Sequence, residues 1–93
     1  MGRGYDRARE GRWVEPLGGY RLRVRFSDES VGEHDFTSML GGGPMMEPLA
    51  NPDYFRRAFI EMGVVAWPNG LDMDAIQLHR EMDAAGELRR DAA

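Results

Sequence analysis

The sequence of 93 residues contains no cysteine, no lysine and no long hydrophobic run. Without cysteine there is no disulfide and no thiolate chemistry, so we expect a cytoplasmic location. No apolar segment approaches the roughly 18 residues that span a membrane. Residues 1–7 lack the apolar core of a signal peptide. All twelve basic residues are arginines, which a GC-rich coding sequence explains most simply.

The length and charge indicate one small domain. Ninety-three residues bearing a formal net charge of −4 bury only about 60–65% of their unfolded surface, so the stability margin is thin and a partner would help. The negative charge disfavours nucleic-acid binding over the whole surface, although a local patch can override it. We divide the chain into an N-terminal arm (1–11), a single α+β domain (12–82) and a C-terminal tail (83–93).

Strand patterns dominate the predicted domain. Residues 20–26 alternate strictly, with apolar side chains on one face and arginines on the other. Together with residues 13–17 and 31–36 they predict a three-stranded meander. Residues 59–62 and 64–67 predict a hairpin around Gly63. The short connections favour antiparallel pairing, hence a small antiparallel sheet in an α+β fold.

Two or three short helices accompany these strands. Residues 36–40 predict a helical turn, with Asp35 or Thr37 as its cap. The run Asn51-Pro52-Asp53 is typical of a helix start and predicts a helix over 52–57. Residues 74–82 predict a longer helix that Asp74 caps.

Several segments occur in an order that matches a known family. They are Asp35-Phe36, Met46-Glu47-Pro48-Leu49, Asn51–Phe55 and Trp67-Pro68-Asn69-Gly70-Leu71-Asp72. Over roughly residues 13–80 the chain resembles the bacterial domain-of-unknown-function family 2442. The resemblance implies a small α+β domain with no established catalytic residues.

The resemblance also implies a class of partner. Members sometimes neighbour a second small family of unknown function, 4160, in an arrangement similar to toxin–antitoxin pairs. Some relatives carry a helix-turn-helix domain after the shared region, for which we expect no room after Met82. The turn Ser27-Asp28-Glu29-Ser30 also departs from the family, where an Asp-Gly turn is common.

Three groups of residues are candidates for binding. The first is Arg21, Arg23 and Arg25, which suit a phosphate or an acidic partner. Alternatively, these arginines pair with acids on the flanking strands. Those acids are Glu15, Glu33 and Asp35.

The second group is Trp67, Asn69 and Asp72, which either line a small pocket or form a structural turn. In the turn alternative, the tryptophan packs in the core, Asn69 and Gly70 take positive φ, and Asp72 caps a helix or binds turn amides.

The third group is Met45, Met46 and Leu49, in an apolar loop that also includes Met39 and Leu40. Methionine adapts to irregular partner surfaces, but the same loop can serve as a lid over the core. Exposure of two or more of these side chains would favour the partner surface.

Neither histidine predicts a metal site. His34 is flanked by acids that point to alternate faces of a strand. His79 lies on the predicted helix with Glu81 near it, and we expect no second ligand four residues away. The serines lack a catalytic context, and Gly41–Gly43 lacks the Lys-Ser/Thr of a phosphate loop. We therefore expect no enzyme activity, no metal and no cofactor.

The sequence thus favours a non-catalytic protein-interaction module that binds another protein or its own copy. An antitoxin-like partner or inhibitor of another small protein is one form of this hypothesis. The alternative is a nucleic-acid-binding or regulatory protein that uses the Arg21/Arg23/Arg25 face. An enzyme with a pocket at residues 67–72 is the least supported, because no base–nucleophile pair is visible.

Overall fold

The computed structural model describes residues 10–90. In chain order its elements are β1 (Gly11–Gly18), β2 (Arg21–Phe26), β3 (Ser30–Asp35), a 3₁₀ turn (Thr37–Met39), a 3₁₀ helix (Pro44–Ala50), α1 (Pro52–Phe55), β4 (Phe59–Glu61), β5 (Val64–Ala66), β6 (Asp72–Met73), α2 (Ala75–Ala84) and β7 (Arg89–Arg90). The strands form two antiparallel sheets, the first with the order β1-β2-β3-β7 and the second with the order β4-β5-β6. This architecture confirms the predicted α+β fold.

The core lies against one face of the first sheet. Leu22, Val24 and Phe26 of β2 are fully buried, while the arginines between them project from the opposite, outer face. The predicted alternation is therefore confirmed. The buried cluster combines residues from both sheets, α1, α2 and the loops: Leu22, Val24, Phe26, Phe36, Leu49, Phe55, Val65, Trp67, Leu78 and Met82.

The helix starts follow the predicted capping chemistry. The side chain of Asn51 accepts a hydrogen bond from the Asp53 amide at 2.9 Å. Asp74 accepts one from the Ile76 amide at 3.0 Å. Each cap satisfies an amide that the first helical turn leaves without a partner. No helix of residues 10–90 is long and apolar enough to cross a membrane.

Two short strands, β6 and β7, were not predicted. After α2 the chain reverses at Gly86, whose φ is +74°, and β7 pairs with β3. Gly32 in β3 permits this close approach, because a Cβ there would lie 2.3 Å from the carbonyl oxygen of Glu87.

The secondary structure extends beyond both ends of the predicted domain, residues 12–82. The start of the predicted tail, residue 83, falls inside α2, and β7 belongs to the first sheet. At the other end, Gly11 already begins β1. Most of the predicted arm, residues 1–9, lies outside the described residues, as do residues 91–93.

Candidate functional site

Arg23 is at the centre of a charged network on the outer face of the first sheet. In the strand register Glu15 and Glu33 flank it on either side. Its guanidinium contacts Glu33 Oε2 at 2.7 Å and Glu15 Oε1 at 3.2 Å. Arg89 of β7 also donates two hydrogen bonds of 2.9 Å to the Glu33 carboxylate. Hydrogen bonds from Arg89 and then Arg23 lower the pKa of Glu33 to about 2.

Of the other two arginines of the predicted group, only Arg21 is opposite an acid in the strand register. Arg21 is opposite Asp35 across the strands, and Arg25 is opposite Trp13. The pKa of Asp35 is lowered, mainly by hydrogen bonds from the hydroxyl and amide of Thr37. Acids therefore interleave with the arginines, and this face is a mixed-charge surface and not a basic patch.

The Trp67 segment forms a structural turn. Trp67 is only 1% exposed, and its Nε1 donates to the carbonyl oxygen of Phe55 at 2.8 Å. Asn69 accepts from the Leu71 amide at 3.2 Å and donates to the Met45 carbonyl at 3.0 Å. The turn thus joins the core to the apolar loop.

Two details of the predicted turn are wrong. Positive φ occurs at Gly70, at +92°, and not at Asn69. Asp72 is exposed in β6 and pairs with Ala66 across the strands, whereas Asp74 caps the helix. The side chains of Trp67, Asn69 and Asp72 therefore do not converge on a common pocket.

The methionine loop covers the core. Leu49 is fully buried and Met46 is half-buried, whereas Met45 is 46% exposed. Only one of the three predicted contact residues therefore offers a large exposed surface, and Leu49 offers none. This arrangement favours the lid interpretation for most of the loop.

Among residues 10–90, three other large apolar residues are exposed, none of which the sequence pattern identified as a contact residue. Trp13 in β1 is 42% exposed, Phe59 in β4 is 39% exposed and Met62 is 95% exposed. The Gly11 amide of β1 donates to the Gly63 carbonyl at 2.7 Å, which fixes the start of β1 against the β4–β5 turn. We call Trp13, Phe59 and Met62 the junction surface. Trp13 shares a strand face with Glu15, a pattern that could have identified it as outward-facing.

Met62 has an unusual backbone conformation for its residue type. Met62 and Gly63 form the two-residue turn between β4 and β5, with φ values of +52° and +86°. Turns with two positive φ values favour Asn, Asp or Gly at the first position. An exposed, strained methionine there has no evident structural benefit.

A polar cluster joins the β2–β3 loop to α2. Asp28 Oδ1 accepts from the Ser30 amide at 2.9 Å and from its hydroxyl at 2.5 Å, and Oδ2 lies 3.0 Å from His79 Nε2. Desolvation opposes ionisation of Asp28, but hydrogen bonds from Ser30 and His79 outweigh it and lower its pKa. Because the Ser30 proton goes to Asp28, the cluster is not a nucleophilic triad. Sequence reasoning missed it because Asp28 and His79 lie 51 positions apart.

Comparison with known proteins identifies a family and nothing more specific. Residues 12–82 match the family described as "Protein of unknown function (DUF2442)". No curated protein and no solved structure matches the chain.

Proposed function

The chain belongs to the family DUF2442, and from that premise we propose that it is a non-catalytic protein-interaction module that binds its partner through the junction surface. The single observation that carries the proposal is the exposure of three large apolar residues where β1 adjoins β4 and the β4–β5 turn. They are Trp13 in β1, Phe59 in β4 and Met62 in the turn. Scattered exposed apolar residues are ordinary, but a group of large ones is characteristic of contact sites.

The charges beside the junction surface favour a protein partner. Trp13 lies opposite Arg25 in the strand register, two positions before Glu15, so this apolar residue borders the mixed-charge face. A protein surface supplies charges of both signs, whereas a nucleic-acid backbone supplies only negative ones. A small toxin-like protein is one such partner, with this chain acting as its antitoxin or inhibitor.

Side-chain contact fits this surface better than strand addition. Pro16 lies in the edge strand β1 and has no N–H to give to an added strand. We therefore expect the partner to pack on the exposed side chains and not to extend the first sheet at β1.

The test compares three baits in cells of the source organism: the unaltered chain, the triple variant W13S/F59S/M62S and the control M45S, which removes an exposed methionine elsewhere. A protein retained by the chain and by M45S but lost by the triple variant is then purified. We expect calorimetry to show at least about tenfold weaker binding to the triple variant, as for the loss of central apolar contacts.

Two results would contradict the proposal. One is an identical set of retained proteins for all three baits, together with a monomeric mass in sedimentation. The other is salt-sensitive binding of DNA or RNA that is lost in R21A/R23A/R25A, which would favour the nucleic-acid alternative.

A further inference from the structure

The second sheet has one face on the core and one face turned away from it. Ile60, Val65 and Met73 are partners across its three strands, and all three belong to the core cluster or pack against it. Because side chains alternate along a strand, their neighbours project from the opposite, outer face. In the strand register those neighbours are Phe59, Ala66 and Asp72 in one row and Glu61 and Val64 in the next.

The charged side chains of this outer face are both acidic. Glu61 in β4 and Asp72 in β6 are exposed. Within residues 10–90 neither carboxylate makes an ion pair or a side-chain hydrogen bond. On the first sheet, by contrast, the acids that flank Arg23 are already paired with it. The two carboxylates of the second sheet are therefore available to a partner.

An exposed aromatic ring lies on the same face as these carboxylates. Phe59 is 39% exposed. Glu61 follows it on the same side of β4, about 7 Å along the strand, and Asp72 lies in its register row two strands away, at about 10 Å. One segment of a partner can therefore contact the ring and both acids at the same time.

We propose that this outer face binds an arginine-bearing segment of the partner protein. One guanidinium lies on the Phe59 ring beside Glu61, and a second cationic group lies against Asp72. The inference rests on the proposed function, because Phe59 belongs to the junction surface. It adds the chemistry of the partner, which exposure of apolar side chains alone does not determine.

Arginine suits this combination of groups better than lysine does. Its planar guanidinium stacks on an aromatic ring and pairs with a carboxylate through two parallel hydrogen bonds. The chain itself contains an arginine–aromatic contact, since the guanidinium carbon of Arg57 lies 5.8 Å from the centroid of the Tyr54 ring. On the outer face of the second sheet the chain supplies the ring and the acids, and the partner supplies the arginine.

The charges favour a basic protein segment over the other occupants of such a face. Two carboxylates repel the phosphates of a nucleic acid. A second copy of the chain carries the same formal net charge of −4, so two copies repel each other. A basic partner is instead attracted over a longer distance, which speeds its association with the chain.

The experiment selects binders to the immobilised full chain from a random dodecapeptide library displayed on phage. Two further baits are E61Q/D72N, which neutralises the face, and the control E47Q/D83N, which neutralises two exposed acids on other elements. We expect arginine to be enriched in the peptides that the chain and the control retain, and E61Q/D72N to lose those peptides. One selected peptide, synthesised and measured by fluorescence anisotropy, should bind E61Q/D72N about three- to tenfold more weakly and with a smaller salt dependence. F59L, which keeps an apolar side chain without the ring, should bind it about two- to fivefold more weakly.

Two results of the selection would each overturn the inference: no enrichment of arginine over the starting library, or equal affinity of the selected peptide for the chain and for E61Q/D72N. A dimeric mass in sedimentation that E61Q/D72N returns to that of one chain would also overturn it, because the face would then bind a second copy. The partner captured through the junction surface separates this inference from the proposed function. A protein that is lost by W13S/F59S/M62S but bound equally by the chain and by E61Q/D72N leaves the proposed function in place and rejects the arginine contact. The four substituted acids are exposed, so both double variants should remain folded, which circular dichroism checks.

Discussion

Replacing Met62 with asparagine should stabilise the protein. Met62 has a φ of +52°, a conformation that costs an L-residue with a Cβ roughly 1–2 kcal/mol and that asparagine tolerates better. Because the side chain is 95% exposed, replacing it removes little buried apolar surface. We expect M62N to raise the free energy of unfolding by about 0.5–1 kcal/mol, which corresponds to about 2–8 °C in Tm for a domain of this size.

Urea unfolding of the chain, M62N and M62A measures this gain. Alanine keeps the Cβ and therefore the backbone strain, so M62A should gain little. Equal stabilisation by M62A and M62N would refute the reasoning, since the effect would then come from removing an exposed apolar side chain. If Met62 contacts a partner, M62N should bind that partner more weakly although it is more stable.

The remaining predictions concern pH, a second turn and the core. The pKa of Glu33 in the folded chain, about 2, lies below its unfolded value. Glu33 therefore stabilises the fold above about pH 4.5, and this contribution is lost as the pH falls toward 2; urea midpoints from pH 7 to 2 should decline less steeply for E33Q. Glu29 is exposed and has a φ of +70°. Replacing it with glycine should raise the free energy of unfolding by about 0.5 kcal/mol, and the measurement is the accompanying rise in Tm. W67F should lower the free energy of unfolding by about 2–3 kcal/mol, because it leaves the Phe55 carbonyl without its donor and creates a cavity. A decrease no larger than that caused by a surface substitution would contradict this prediction.

Local patterns predicted the parts of the fold that local chemistry determines. The alternation of residues 20–26 depends only on the two-residue period of a strand, and the caps at Asn51 and Asp74 depend on neighbouring amides. Strands β6 and β7 have two residues each, too few for any period. They form because tertiary packing brings them beside existing strands.

The candidate site was less predictable for the same reason. The order of the strands predicts that Arg23 pairs with acids on its neighbours, which is the alternative to a basic patch. In a loop the buried positions do not recur at a fixed spacing, so the sequence does not show which loop residues are buried. Met45 is exposed and Leu49 is buried, although the sequence placed both in the same candidate surface. The contact of Asp28 with His79 depends on how α2 packs on the hairpin, which no short motif encodes.

Gly32 determines how the chain after α2 covers the border of the first sheet. Its missing side chain lets residue 87 lie directly over β3, and that approach precedes the pairing of β7. Any larger residue at position 32 would push the returning chain outward and leave Ser30 and Val31 of β3 without their pairing to β7. A sheet whose border is bare in this way offers its amides and carbonyls to other molecules. We therefore expect the glycine at position 32 to hinder the pairing of one copy of this chain with another at this border.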